Sequence, residues 1–189
     1  MDINLLVKTL SLYGDPEPEA IHYLTRTMKE QVLKPNKKLL EQGAINRRLY
    51  FLTKGLVSEY RNTSEGERTT GFAGRGDFFT HSESFTTQQA SPVSICSETD
   101  SIVLSLDHSE YRDLITGYPA VKKIFQALYH HYNERRNRIN ISLLDDPVEA
   151  RIQTLKEEYP DILQFARTKH LISFLRTNYK RFHKAMTMI

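Results

Sequence analysis

Cysteine is almost missing: Cys96 is the single one in 189 residues. That excludes an intrachain disulfide and any iron-sulfur cluster held by several cysteines of one chain. Cys96 itself is expected to be buried and inert. No apolar run approaches the ~20 residues that cross a bilayer, so no membrane partner is expected. The N-terminus, M-D-I-N-L-L-V-K, has neither the basic start nor the apolar core and small-residue cleavage site of a signal peptide, and a cytoplasmic location is expected. Histidines two residues apart, the usual chelating pair inside a β-barrel, do not occur. His81 and His108 are isolated, and the adjacent His130 and His131 point in different directions on a helix. A cupin-type metal enzyme is therefore disfavoured, and no catalytic residue, metal or other cofactor is expected. The most informative absence is local. No Asp or Glu follows Asp161, whereas Arg167, Lys169, Arg176, Lys180, Arg181 and Lys184 all do. Positive charge with nothing nearby to neutralise it favours a polyanion, because each phosphate contacted releases counterions.

What is present reads as an ordinary globular chain, with 39% hydrophobic and 26% charged residues and a net charge of +3, long enough for one good core and a small second module. From Pro16 to Lys29 two prolines and two glutamates suit a first helical turn, with Ile21, Leu24 and Met28 on one side. From Gln31 to Leu106 the period shortens. Strands are expected at Val32-Leu33, Leu39-Leu40, Leu49–Leu52, Leu56–Tyr60, Thr69–Phe72, Val93–Cys96 and Ile102–Leu106, punctuated by Gly43, Gly55, Gly66 and Gly76. A hairpin tip is expected at residues 64–66. Many short strands at this spacing suggest a barrel or jelly roll. Helical spacing returns at Tyr111 and continues past Pro119 through Val121, Ile124, Leu128, Tyr132, Ile139 and Leu143, a single stripe bridged at Arg135. A stripe on so long a helix wants a partner, and a second copy of the chain is the simpler answer. Arg135, Arg136 and Arg138 must then project outward or pair with an acid such as Glu134, because unpaired guanidinium groups facing one another would be costly. Asp145-Asp146-Pro147 breaks this helix, and Val148–Tyr159 forms another with Ile152, Leu155 and Tyr159 inward.

Thr168 to Lys184 then reads as helix, tight turn and helix. Leu171, Ile172, Phe174 and Leu175 supply an apolar stripe in the first half, and Phe182, Ala185 and Met186 in the second. Together these pieces resemble the Crp/Fnr family of bacterial transcription regulators over nearly the full chain. The segments carrying the resemblance are L-Y-F-L-T-K-G-L-V at 49–57, G-D-F-F at 76–79, and E-Y-P-D-I-L-Q followed by K-H-L-I-S-F-L at 158–164 and 169–175. S-E-S-F at 82–85 is similar to members from the Bacteroidetes group.

The resemblance implies an α+β chain in three parts: a cyclic-nucleotide-binding-like double-stranded β-helix (jelly roll) over 1–117, a dimerisation helix over 118–144, and a helix-turn-helix domain over 145–189. It implies a homodimer that binds double-stranded DNA, with an unidentified small-molecule effector and with RNA polymerase as a further partner. The second helix would enter the major groove. Asn178 is its natural N-cap. Tyr179, Lys180, Arg181, His183 and Lys184 fall on its exposed face, Lys169 and Arg176 add to the DNA-binding set, and Phe182 is core. Arg181 is the best base reader, while Lys180 and Lys184 hold phosphates. The sequence departs from the family where Arg176 replaces the turn glycine and Asn178-Tyr179 replaces threonine-proline, and with Thr187-Met188-Ile189 after the second helix no β-wing is expected. A degenerate relative acting through protein contacts is the alternative.

The effector pocket is expected around Gly76, Asp77, Phe78, Phe79, His81, Glu83, Ser91 and Pro92. Cyclic-nucleotide binders of the family carry a ribose-binding glutamate where His81 stands, and an arginine followed by serine or threonine where the chain has Pro92. Proline offers neither donor nor charge, so the phosphate would be buried without its counterion. Tight binding of cyclic AMP is not expected.

Overall fold

The structure, a computed structural model, describes residues 2–188. Two helices, α1 (Ile3–Ser11) and α2 (Pro18–Thr27), lead into eight strands. These are β1 (Lys29–Leu33), β2 (Lys38–Leu40), β3 (Arg48–Lys54), β4 (Val57–Thr63), β5 (Gly66–Ala73), β6 (Phe78–Phe79), β7 (Ser94–Ser97) and β8 (Ser101–Asp107), with a short α3 (Ser82–Thr87) between β6 and β7. The strands form two antiparallel sheets, ordered β1-β8-β3-β6 and β2-β7-β4-β5. Each expected strand lies in this jelly roll. The β4–β5 hairpin closes with Thr63 opposite Gly66, at the expected tip.

Glycine matters most between β3 and β4. Gly55 has φ +93°, and a Cβ there would run into Ser101 Oγ and come within 2.8 Å of Asp100 O. No other residue fits that reversal without moving β8.

Six more helices follow: α4 (His108–Gly117), α5 (Pro119–Asp145), α6 (Val148–Glu158), α7 (Ile162–Phe165), α8 (Thr168–Phe174) and α9 (Tyr179–Met186). The stripe expected to run through Pro119 is broken there: Pro119 takes the first position of α5 because it has no N–H to give to α4. Capping comes from elsewhere in the chain. The Glu17 carboxylate accepts from the amides of Ala120 and Val121 at 2.8 and 3.1 Å.

The apolar stripe of α5 is used within the chain, which overturns the argument that it lacks a partner. Val121, Ile124 and Leu128 are buried with Leu6, Leu10, Leu24, Phe51 and Leu114. Ile139 and Leu143 are buried with Ile152, Leu155, Leu171 and Phe182 of the C-terminal helices. Each such side chain contributes ~2 kcal/mol, enough for intrachain packing to hold the helix. Arg135, Arg136 and Arg138 do pair with acids or project outward, as expected, with Arg136 exposed. Glu134 lies beside His130, Arg138 pairs with Glu158 at 2.6 Å, and Arg135 turns inward to Asp77 at 3.1 Å.

Leu56 and Phe72 of the jelly roll belong to the same core as α6, α8 and α9. The C-terminal helices are thus packed on the roll rather than tethered to it. Tyr159 Oη adds a hydrogen bond to Phe72 O at 2.7 Å.

Candidate nucleic-acid interface and effector cavity

At the C-terminal end, Phe182 and Ala185 anchor α9 in the core, which turns the rest of its surface outward. Asn178 is its N-cap, accepting from Arg181 N at 2.9 Å. Tyr179, Lys180, Arg181, His183 and Lys184 are exposed, and the rings of Tyr179 and His183 meet at a tilt of 46° with centres 4.0 Å apart. Lys180, Arg181 and Lys184 make no ion pair among the described residues. The turn before α9 forms without glycine because Arg176 itself adopts a left-handed φ of +52°. Arg176 is exposed, and Lys169 lies on α8 beside Glu67 at 3.7 Å. Arg151, which sequence reasoning missed, donates to Asp146 O and Leu175 O and ties the start of α6 to the turn. Arg151, Arg176, Arg181 and Lys184 line one cleft, whose floor is the start of α6. Four cations against one acid, Glu149, beside a helix N-terminus favour a phosphate there.

A second missed cluster locks α8 to the roll. Glu98, at the end of β7, has a fully buried side chain. Its Oε1 meets His170 Nδ1 at 2.6 Å, Arg167 Nη2 at 2.9 Å and Ser58 Oγ at 2.5 Å, while Oε2 accepts from Arg167 Nε. Burial alone would push this carboxyl up, but the hydrogen bonds from His170, Arg167 and Ser58 outweigh it and hold the group well below the usual carboxylate range. Thr69 N donates to Ser173 Oγ at 3.0 Å alongside.

Between the roll and α5 lies a cavity of about 480 Å³. One wall comes from Val57, Glu59 and Phe72 of β4 and β5, another from Phe78, Phe79 and Phe85, and the cover from Tyr129, Tyr132 and Arg136 of α5. Of the eight residues expected around the effector, Phe78 and Phe79 line this cavity. Gly76 sits in a turn at φ +88°, and Asp77 is taken by Arg135. The His81 ring accepts from Ser84 N at 3.3 Å, capping α3. Glu83 and Pro92 are exposed, and Ser91 is buried with its hydroxyl on Val93 O. Of the three cover residues on α5, Tyr132 alone belongs to the stripe expected from the sequence. No helix is long and apolar enough to cross a membrane, and no group of three or more metal-ligating side chains occurs, both among the described residues.

Residues 30–118 match the cyclic nucleotide-binding domain family. The domain therefore spans β2 to α4 in full together with all of β1 but Lys29. In sequence, the chain is 20% identical over 139 residues to the human potassium/sodium hyperpolarization-activated cyclic nucleotide-gated channel 1, a match that covers 74% of this chain and 15% of the channel. The chain thus spans only a small part of that relative. Among solved structures it is similar to FixK2 from Bradyrhizobium japonicum, with a TM-score of 0.72 and 13% identity over 86% of this chain and 84% of that one. The catabolite activator protein of Thermus thermophilus matches with a TM-score of 0.57 and 22% identity over 94% of this chain and 85% of that one. The c-di-GMP responsive global regulator CLP of Xanthomonas campestris gives a TM-score of 0.64 and 14% identity over 91% of each chain. These likenesses establish the fold of the domain and of the helices that follow it.

Proposed function

We propose that this chain is a homodimeric, DNA-binding transcription regulator of the Crp/Fnr type, in which the jelly roll senses a small molecule, α5 dimerises, and α8 and α9 act as a helix-turn-helix. The observation that carries the reading is α9 itself, with its apolar side in the core and Lys180, Arg181, His183 and Lys184 outward and in no ion pair among the described residues. Such a helix fits a major groove, where Arg181 can take guanine in a bidentate contact. The cleft of Arg151, Arg176 and Lys184 beside it suits the adjacent phosphates. The similarity to a catabolite activator protein and to a global regulator supports the same reading. For the dimer, support comes from a different face of α5 than the buried stripe: Gln126, Tyr129, Asn133, Arg136 and Asn140 are exposed at alternating steps of three and four, the spacing of a helix-pairing seam. The protein would work in the cytoplasm.

The test is duplex binding from a pool of random genomic fragments, followed by affinity against salt. Enrichment of a two-fold symmetric site, and affinity that falls steeply as salt rises, are the expected results. Affinity that is undetectable or flat with salt removes the proposal. A second reading, action through protein contacts without specific DNA reading, is favoured by Lys169, which faces Glu67 of the roll at 3.7 Å instead of standing free beside α9. Salt-dependent binding with no sequence enrichment would support it.

A further inference from the structure

The cavity under α5 is built for a different class of ligand from a nucleotide. Its walls are dominated by aromatic and aliphatic side chains, among them Phe72, Phe78, Phe85 and Tyr129. An apolar space of this kind gains most from a flat apolar body. The groups that would seat a sugar and phosphate are turned to other uses. The His81 ring takes the Ser84 amide at the start of α3, and Pro92 is exposed and does not line the cavity. Asp77 is committed to Arg135.

Two charges remain at the cavity, and they decide the ligand's polarity. Glu59, hydrogen-bonded to Thr70 at 2.7 Å, stands on the β4 wall and repels a second negative charge. Arg136 stands on the α5 side, exposed and without an ion pair among the described residues, while its neighbour Arg135 is held by Asp77. One free guanidinium at the mouth of an apolar cavity recognises one anionic group. In a dimer formed along the seam of Gln126, Tyr129, Asn133 and Arg136, the two Arg136 side chains would also lie close to each other, and an anion between them would relieve their repulsion.

We propose that this cavity binds a flat, aromatic or similarly apolar molecule carrying a single negative charge, with the charge on Arg136 and the apolar body against Phe72 and Phe78. The inference rests on the reading of the jelly roll as a sensor, and it does not depend on DNA binding. The test uses two fluorescent probes on the full chain: 8-anilinonaphthalene-1-sulfonate, an aromatic monoanion, and N-phenyl-1-naphthylamine, its uncharged relative. Both are expected to bind the native protein, and cyclic AMP is expected to displace neither. Arg136→Gln should weaken the anionic probe by about tenfold or more, the value of a charge-assisted hydrogen bond, and leave the neutral probe within about twofold. Arg136→Lys should restore part of the loss. Gly71 lines the cavity, and a Cβ there meets nothing nearer than Glu59 at 3.8 Å, so Gly71→Leu should fill the space and abolish both probes while circular dichroism stays native. Anionic-probe affinity unchanged in Arg136→Gln, both probes retained in Gly71→Leu, or displacement by cyclic AMP would each overturn the proposal. Duplex binding measured on the same preparation separates this outcome from failure of the regulator reading: probe binding without DNA binding removes that reading alone, and the reverse removes only this one.

Discussion

Asp77 and Arg135 form a two-pronged ion pair, Nη1 to Oδ1 and Nη2 to Oδ2 both at 3.1 Å, with the guanidinium 4.8 Å from the ring centre of Tyr132 and 4.6 Å from that of Tyr159. Both side chains are only 13% exposed. The pair joins the turn before β6 to α5 and, through Tyr159, to the end of α6. Removing one member leaves the other charge buried without a partner, so Arg135→Met should destabilise by ~3 kcal/mol. Asp77→Asn should do the same, and the double variant should cost clearly less than the sum. Urea denaturation of the four proteins reads the coupling. Additive losses would mean that the two charges do not interact.

The Glu98 cluster predicts the acid limb of stability. Although burial opposes ionisation, the donors on Glu98 hold its folded carboxyl below the ordinary value. A depressed carboxyl gives its full stabilisation above the unfolded pKa of about 4.3 and loses it as pH falls below that toward the folded pKa. The melting temperature of the native protein should therefore fall as pH drops below about 4.5, and Glu98→Gln should be less stable near pH 7 with a flatter acid limb. Equal acid slopes in the two proteins would remove Glu98 from this role.

Arg176 separates fold from function. Its φ of +52° is left-handed, a conformation that costs a non-glycine residue ~1 kcal/mol or more. Arg176→Gly should hold or raise the melting temperature, because relief of that strain offsets the added freedom of the unfolded chain. The same variant removes a cation from the cleft before α9 and should weaken duplex binding and lower the salt slope by about one. Anisotropy titrations at several salt concentrations check this.

The remote cap on α5 is open to the same kind of test. Glu17 meets the amides of Ala120 and Val121 across more than a hundred residues of sequence. Glu17→Ala should cost ~1 kcal/mol, the usual value of an N-cap, and should expose the Ala120 and Val121 amides to faster hydrogen exchange. Unchanged exchange at those two sites would show that the cap contributes nothing.

Arg181→Ala should reduce affinity for a selected duplex by ~1–3 kcal/mol and relax specificity at one position of each half-site, whereas Lys184→Ala should weaken binding to all sequences alike. A reversed pattern would exchange the roles of base reader and phosphate contact.

The sequence by itself determined most of the elements, because strand alternation, helical periodicity and caps are local. The seven strands, the break at Asp146-Pro147, the cap at Asn178, and Phe182 inward with Arg181 outward were all legible from neighbouring residues. So was the lack of acids beyond Asp161, from which the nucleic-acid reading grew. Helix α1 went unassigned even though Asp2 caps it and Leu6 and Leu10 are buried, and β6 was passed over because two residues show no period. Tertiary structure alone decided where α5 puts its apolar stripe, since the same period serves a second copy or the chain's own roll. It also supplied Asp77 as the acid for Arg135, and joined Glu98 to Arg167 and His170. Pairs separated by tens of residues leave no pattern in a single sequence: their energy comes from low-dielectric proximity, which exists only once the chain has closed around them.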